Sequence, residues 1–194
     1  VREDPLRQAI PSGWTLLREG QMAIAARFPL KLSRSLQRSD YSEGYGLVFL
    51  KGILEVRGQA VTILNVHLET PRDGLEPMVS GKWDVGAIKH NYRIREHEAS
   101  LVAAEAEYNS IIAGDFNMPV ESPLYRRFFA DLSNAFDQSG NGFGWTKRTK
   151  WHGVRIDHIL SPSAFIPLDC FVGPDFGSDH LPIVATLKLL ELRQ

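Results

Sequence analysis

Asp115, Asn117, Asp157 and Asp179, with His67 and His180, stand at or near the ends of short apolar runs, and their side chains are the ones in this chain best equipped for chemistry. Carboxylate and amide oxygens are ligands for hard cations such as Mg2+ and Mn2+. An imidazole beside a carboxylate can hold or pass a proton near neutrality. A local reading competes: Asp115-Phe-Asn117 is also a turn sequence, because Asp and Asn close loops by bonding their own backbone. Four polar clusters recur at strand edges, around His67, Asp115, Asp157 and Asp179-His180, and that recurrence favours one shared site.

Strands must position these groups. Residues 111–114 form a branched apolar run closed by Gly114, so Asp115 and Asn117 emerge at a carboxyl end, where open α/β sheets place ligands. Residues 61–68 alternate, which puts Asn65 and His67 on the side of Val61 and Ile63; a buried His67 would need a partner. In residues 154–160, Arg155, Asp157 and Ile159 share one side while Val154, Ile156, His158 and Leu160 share the other. Asp157 therefore points away from His158. Asp179 and His180 precede the run 183–190, a closing strand.

The remaining elements can be placed more coarsely. Residues 20–29 read as a strand entering a turn, and 45–56 pairs with 61–68 across Gly58. Residues 91–108 carry Ile94, Leu101, Val102 and Tyr108 at helical spacing. Ser122 and Pro123 open a second helix to about Leu132, with Leu124, Phe128 and Leu132 on one face. Asp4 and Pro5 open a short first helix, and residues 71–89 read as a loop overhanging the His67 end.

The ordered set Asn65-Val-His67-Leu, Gly114-Asp-Phe-Asn117, Arg155-Ile-Asp157 and Gly177-Ser-Asp-His180 resembles the endonuclease/exonuclease/phosphatase superfamily over almost the whole chain. That superfamily includes pancreatic deoxyribonuclease, apurinic endonucleases, inositol-polyphosphate phosphatases and neutral sphingomyelinases. The resemblance implies an α/β fold, a deoxyribonuclease I-like four-layer sandwich of two mixed β-sheets flanked by helices, as one domain over residues 1–194. In the family a first strand supplies an Asn and a second ends in Gln-Glu, whose Glu is a principal metal ligand. The opening of this chain resembles the short helix and loop that come after those two strands, so the expectation is an amino-terminally truncated domain, with a sheet edge open to pairing with a second copy. Glu3 lies in the helix entry and is a poor substitute for that Glu.

By the same resemblance, the cofactor is Mg2+ or Mn2+, held by Asp179 and Asp115. Asp115 orients or deprotonates the attacking water, and Asn117 donates to a phosphate oxygen. His180 transfers a proton or stabilises phosphoryl charge, with Asp157 on its other ring nitrogen, and His67 contacts the phosphate from another strand. Asp115 and His180 both remain compatible with the part of base. The implied activity is divalent-metal-dependent phosphodiester hydrolysis of a nuclease-like kind, with nucleic acid among the substrates open to it. The alternatives are a phosphatase or phospholipase acting on inositol phosphates or lipid headgroups, and a phosphate-binding remnant without catalysis.

Composition bounds these readings. The chain has 194 residues, 43% of them hydrophobic, which suits one domain with a substantial core. A formal net charge of −1 gives no global pull toward nucleic acid, so anion binding must be local. Cys170 is the only cysteine, which excludes an internal disulfide, and its apolar neighbours suggest a buried thiol. No apolar run spans a bilayer and no signal-like start is seen, so a soluble protein, in a bacterial cytoplasm or secreted, is expected. Residues 144–155 join Lys147, Arg148, Lys150 and Arg155 to Trp145 and Trp151, a surface suited to phosphate and base contact or simply a solvated hairpin. Arg155 either holds an anion there or pairs with a carboxylate, and Lys82, Lys89, Arg93 and Arg95 offer further charge.

Overall fold

The alternating runs become the middle of a six-stranded sheet in the computed structural model, which describes residues 5–79, 81, 84–148 and 152–190. Helix α1 (Pro5–Ala9) precedes β1 (Thr15–Glu19), β2 (Met22–Ala26), β3 (Leu30–Gln37), β4 (Leu47–Val56) and β5 (Gln59–His67). Helices α2 (Arg72–Val79) and α3 (Val85–Ala104) then lead to β6 (Ser110–Asp115), α4 (Pro123–Phe128), β7 (Ser133–Asn134) and α5 (Ala135–Ser139). Strands β8 (Lys147–Arg148), β9 (Gly153–Val154), β10 (Asp157–Ser161), β11 (Phe165–Val172) and β12 (Ile183–Leu189) complete the order. Glu3 and the expected cap Asp4 lie outside the described residues.

The main sheet runs β3-β4-β5-β6-β10-β7. Strands β5 and β6 are parallel, which the long crossover through α2 and α3 permits, and the other pairs are antiparallel. One face carries Leu64, Val66, Ile112 and Leu160 against Ala99, Val102, Leu124 and Phe129 of the helical layer. Each such fully buried aliphatic side chain contributes about 1.5–3 kcal/mol relative to exposure. The opposite face is covered by two antiparallel hairpins, β1-β2 and β11-β12. The first closes over Leu30, Leu47 and Leu50 with Met22 and Ile24, and the second brings Leu187 and Leu189 to Val61 and Phe165. The result is a mixed α/β sandwich flanked by helices, in which the second β layer consists of separate hairpins among the described residues.

Several expectations shift. The helix read as 91–108 runs from Val85 to Ala104, because the Asp84 side chain caps it by accepting from the Ala87 N–H at 2.9 Å. Its expected last turn unwinds as Glu105 and Glu107 turn to the Lys51 ammonium on β4. The loop expected over 71–89 contains α2. Gly74 makes that helix possible, since a Cβ there would lie 2.8 Å from the Cβ of Asn91 on α3. Helix α4 ends at Phe128, short of Leu132, and Leu124, Tyr125 and Phe129 are its buried contacts. Strands β3 and β11 were not anticipated: β3 is an edge with only one buried side chain, Leu30, and β11 is interrupted by Pro167 and a bulge. Cys170 is buried as expected, with Ala135 and Phe136. Among the described residues no helix is long and apolar enough to cross a membrane.

Candidate active site

Three neighbouring strands place His67, Asp115 and Asp157 in one row across the sheet. His67 on β5 is in register with Asp115 on β6, and Asp115 is in register with Asp157 on β10. Strand alternation then sends all three side chains to the same side. Close approach of the strands is secured by Gly114, whose φ is 140°; a Cβ there would sit 2.1 Å from the Val66 carbonyl oxygen. His67 Nε2 lies 4.0 Å from Asp115 Oδ2, and its side chain is half exposed rather than buried, so the expected need for an internal partner does not arise.

The turn after β6 shows the local reading of Asp115-Phe-Asn117 and leaves one carboxylate oxygen of Asp115 toward the histidines. Asp115 Oδ1 accepts from the Asn117 backbone N–H at 2.7 Å, which is turn chemistry, while Oδ2 faces His180 and His67. Asn117 adopts a φ of 49°, and its side-chain amide donates to the Leu68 carbonyl at 2.8 Å, tying the turn to the end of β5. Arg95 Nη2 donates to the Asn117 carbonyl at 3.2 Å, so this arginine supports the turn. Burial, then the charge of Asp157, raises the Asp115 carboxyl above its ordinary range, although the Asn117 N–H and the two histidines oppose this.

His180 arrives from the loop before β12. Its Nδ1 lies 2.9 Å from Asp157 Oδ2, and its Nε2 lies 3.8 Å from Asp115 Oδ2 and 2.7 Å from Lys147 Nζ. An ammonium can only donate, so Nε2 accepts and Nδ1–H donates to Asp157, which fixes the tautomer. Lys147 Nζ also bonds Asp179 Oδ2 at 2.8 Å and holds that carboxyl below the usual range. Thr146 sets this geometry from beneath. Its buried hydroxyl accepts from the Ile156 and Asp157 N–H groups at 3.2 and 3.1 Å, and its carbonyl accepts from Leu181 at 2.6 Å.

A second support was invisible in the motifs. Buried Arg38 donates from Nε to Glu98 Oε1 at 2.6 Å and from Nη2 to the His67 carbonyl at 2.9 Å. Glu98, fully buried on α3, also accepts from the Tyr41 hydroxyl at 2.7 Å and from the Glu69 N–H at 2.6 Å. A buried charge pair persists only when its remaining hydrogen bonds are satisfied, and here they are satisfied by Tyr41, by the Tyr45 carbonyl and by the segment that carries His67. Helical spacing alone puts Glu98 among charged residues of α3; only its inward orientation distinguishes it.

The candidate residues divide on folding. His67, Asp115, Asn117, Lys147, Asp157, Asp179 and His180 line one cleft of about 500 Å3, joined by Thr70 and Arg72. Arg155 is directed elsewhere: it pairs with Asp137 and covers the Phe136 ring at 4.5 Å, the ion-pair alternative of the sequence reading. Trp145 stacks on Phe143, and exposed Arg148 lies 4.0 Å from Asp175. Lys82, Lys150 and Trp151 fall outside the described residues. Thr70 and Arg72 were missed because the segment after His67 carries no periodicity.

The donor set suits a hard divalent cation. Asp115, Asp157 and His180 can each offer one ligand atom, all within 4.8 Å of one another. Burial and the neighbouring Asp157 already disfavour the charged form of Asp115, so a cation between the carboxylates would relieve a repulsion present in the structure. Asp179, the other expected ligand, is engaged by Lys147.

A sequence profile of the endonuclease/exonuclease/phosphatase family matches residues 11–180. The chain belongs to that family. Its members are hydrolytic phosphoesterases that generally depend on divalent metals. Among curated proteins none matches. Solved structures share the fold. An AP endonuclease from Archaeoglobus fulgidus is 16% identical with a TM-score of 0.66, over 97% of this chain and 84% of that one. A mannosyl-6-phosphatase from Bacteroides thetaiotaomicron is 19% identical with a TM-score of 0.65, over 95% of this chain and 80% of that one. A family protein from Beutenbergia cavernae is 22% identical with a TM-score of 0.63; the match covers 86% of this chain and 47% of that longer protein.

Proposed function

We propose that this chain hydrolyses a phosphodiester with Mg2+ or Mn2+ at Asp115 and Asp157. The observation that carries the reading is the row His67, Asp115, Asp157, capped by His180 at 2.9 Å from Asp157. A divalent cation held by these carboxylates would withdraw charge from the phosphoryl oxygens. The protein groups supply the rest. Asp157 fixes His180 with Nε2 toward the cleft, where Nε2 takes a proton from water that Asp115 Oδ2 orients. Lys147 binds a phosphate oxygen in the complex and thereby releases Nε2. The second N–H of the Asn117 amide, with His67 and Arg72, holds the other oxygens while charge moves to the leaving group.

The test is hydrolysis of bis(p-nitrophenyl) phosphate with Mg2+ or Mn2+ and with EDTA. Metal-dependent turnover that disappears in His180→Ala is expected. Plasmid, abasic duplex, inositol phosphates and sphingomyelin then sort nuclease from headgroup hydrolase. Phosphate binding without turnover of any of these by the wild type would overturn the catalytic reading.

A further inference from the structure

The polar cleft is flanked on both sides, and the two flanks differ. Between the β3–β4 connection and α3 a cavity of about 620 Å3 shares, among the described residues, only His67 and Thr70 with the cleft, and is lined by Arg38, Glu69, Asp73 and His90 among others. On the α2-β9 side a cavity of about 630 Å3 shares Thr70, Arg72, Asn117 and Lys147 with the cleft. Beyond those four its wall, among the described residues, is Pro71, Leu75, Pro119, Val154 and Ile156, with Glu76 the one charged residue beside them. Leu75 on α2 is 44% exposed there, although it borders a site built from charges.

We propose that the phosphate ester taken by this site carries an uncharged apolar substituent, an aryl ring or an alkyl chain, seated against Leu75, Pro119, Val154 and Ile156. The inference rests on the phosphodiester reading above and names its substrate class. Three features support it. The volume falls in the range of small-ligand pockets, about 300–1,000 Å3, whose walls are mostly apolar with a few placed polar groups. The cations Arg72 and Lys147 lie on the boundary shared with the cleft, so a phosphate held by them presents one ester oxygen to the apolar side and another to the polar side. A second phosphate placed against Leu75 and Ile156 would lose water and meet the carboxylate of Glu76, whereas an uncharged ring or chain gains by leaving water.

Calorimetric titration with methylphosphonate, phenylphosphonate and octylphosphonate in the presence of Mg2+ tests this without requiring turnover. Phenyl- or octylphosphonate is expected to bind at least tenfold more tightly than methylphosphonate, which is about 1.4 kcal/mol. A preference for phenyl identifies a ring and a preference for octyl a chain. Leu75→Asn, exposed on its helix and neutral, should cut the preference to threefold or less and leave methylphosphonate affinity within twofold; Val154→Thr should reduce it in the same direction. Equal affinity for all three ligands would overturn the apolar seat while leaving the phosphate site standing. An undiminished preference in both variants would overturn it as well. Failure of all three to bind would remove the phosphate reading and this inference with it.

Discussion

Asp157 and His158 are neighbours on β10, and the strand sends them into opposite environments. His158, wholly buried on the helical side, has Nε2 2.9 Å from the Met118 carbonyl and Nδ1 3.3 Å from Asn134 Nδ2, between the rings of Phe116 and Tyr125. Burial pushes its pKa down to about 4, so it is a neutral structural histidine. Asp157 faces the cleft and turns a different histidine, His180, into a polarised one. Histidine type and strand position do not separate the two roles. The face of the sheet does, because one face is sealed by α3 and α4 and the other opens where the hairpins end.

The largest effects belong to the cleft side of the sheet. His180→Ala and Asp115→Ala should each lower kcat by three to four orders of magnitude, about 4–5.5 kcal/mol, with thermal unfolding shifted by only a few degrees. Steady-state kinetics beside calorimetric melting checks both halves. His158→Ala should do the reverse, costing about 2–4 kcal/mol of stability by urea unfolding while the folded fraction retains near wild-type kcat.

His158 also gives stability a pH dependence. Its folded pKa of about 4 lies below the unfolded value near 6.5, so its contribution is whole above pH 6.5 and is lost as pH falls toward 4. The loss is about 3 kcal/mol, read from urea midpoints at pH 7, 5 and 4 and absent in His158→Ala. A smaller effect tests the support beneath Asp157. Thr146→Val leaves two N–H groups without their acceptor and should cost about 1–3 kcal/mol and roughly tenfold in kcat, since the Asp157-His180 contact loosens with it. Smallest is Arg148→Ala, exposed and 4.0 Å from Asp175, which should change stability by less than about 0.5 kcal/mol.

Much of the site was legible because strand alternation is a local rule. It placed Asp157 opposite His158 and aligned Asn65 with His67, and the structure agrees on both. Asn65 nonetheless bonds the Ala23 carbonyl at 2.9 Å and locks the first hairpin, a partner 42 positions away that no local rule supplies. Arg155, read as sharing the Asp157 side, lies in the break between β9 and β10 and is captured by Asp137 on α5. Lys147 looked like one of several loop cations and became the bridge between Asp179 and His180, because an isolated β-bridge joins Lys147 to His180. Helix limits failed where long-range partners intervened, at Glu105 and Glu107 against Lys51.

The sequence by itself determined the inventory and its facing: which carboxylates, amides and imidazoles exist, which strand ends carry them, and which family pattern they match. Those properties depend on residue type and on periods of two or 3.6, which act over a few positions. Register across β5, β6 and β10, the tautomer of His180, the burial of Glu98 under the His67 segment and the apolar wall beside Lys147 were decided only by tertiary structure. Each depends on which distant segments come within a few ångströms, and that is settled by packing the whole sheet between its helices and its hairpins.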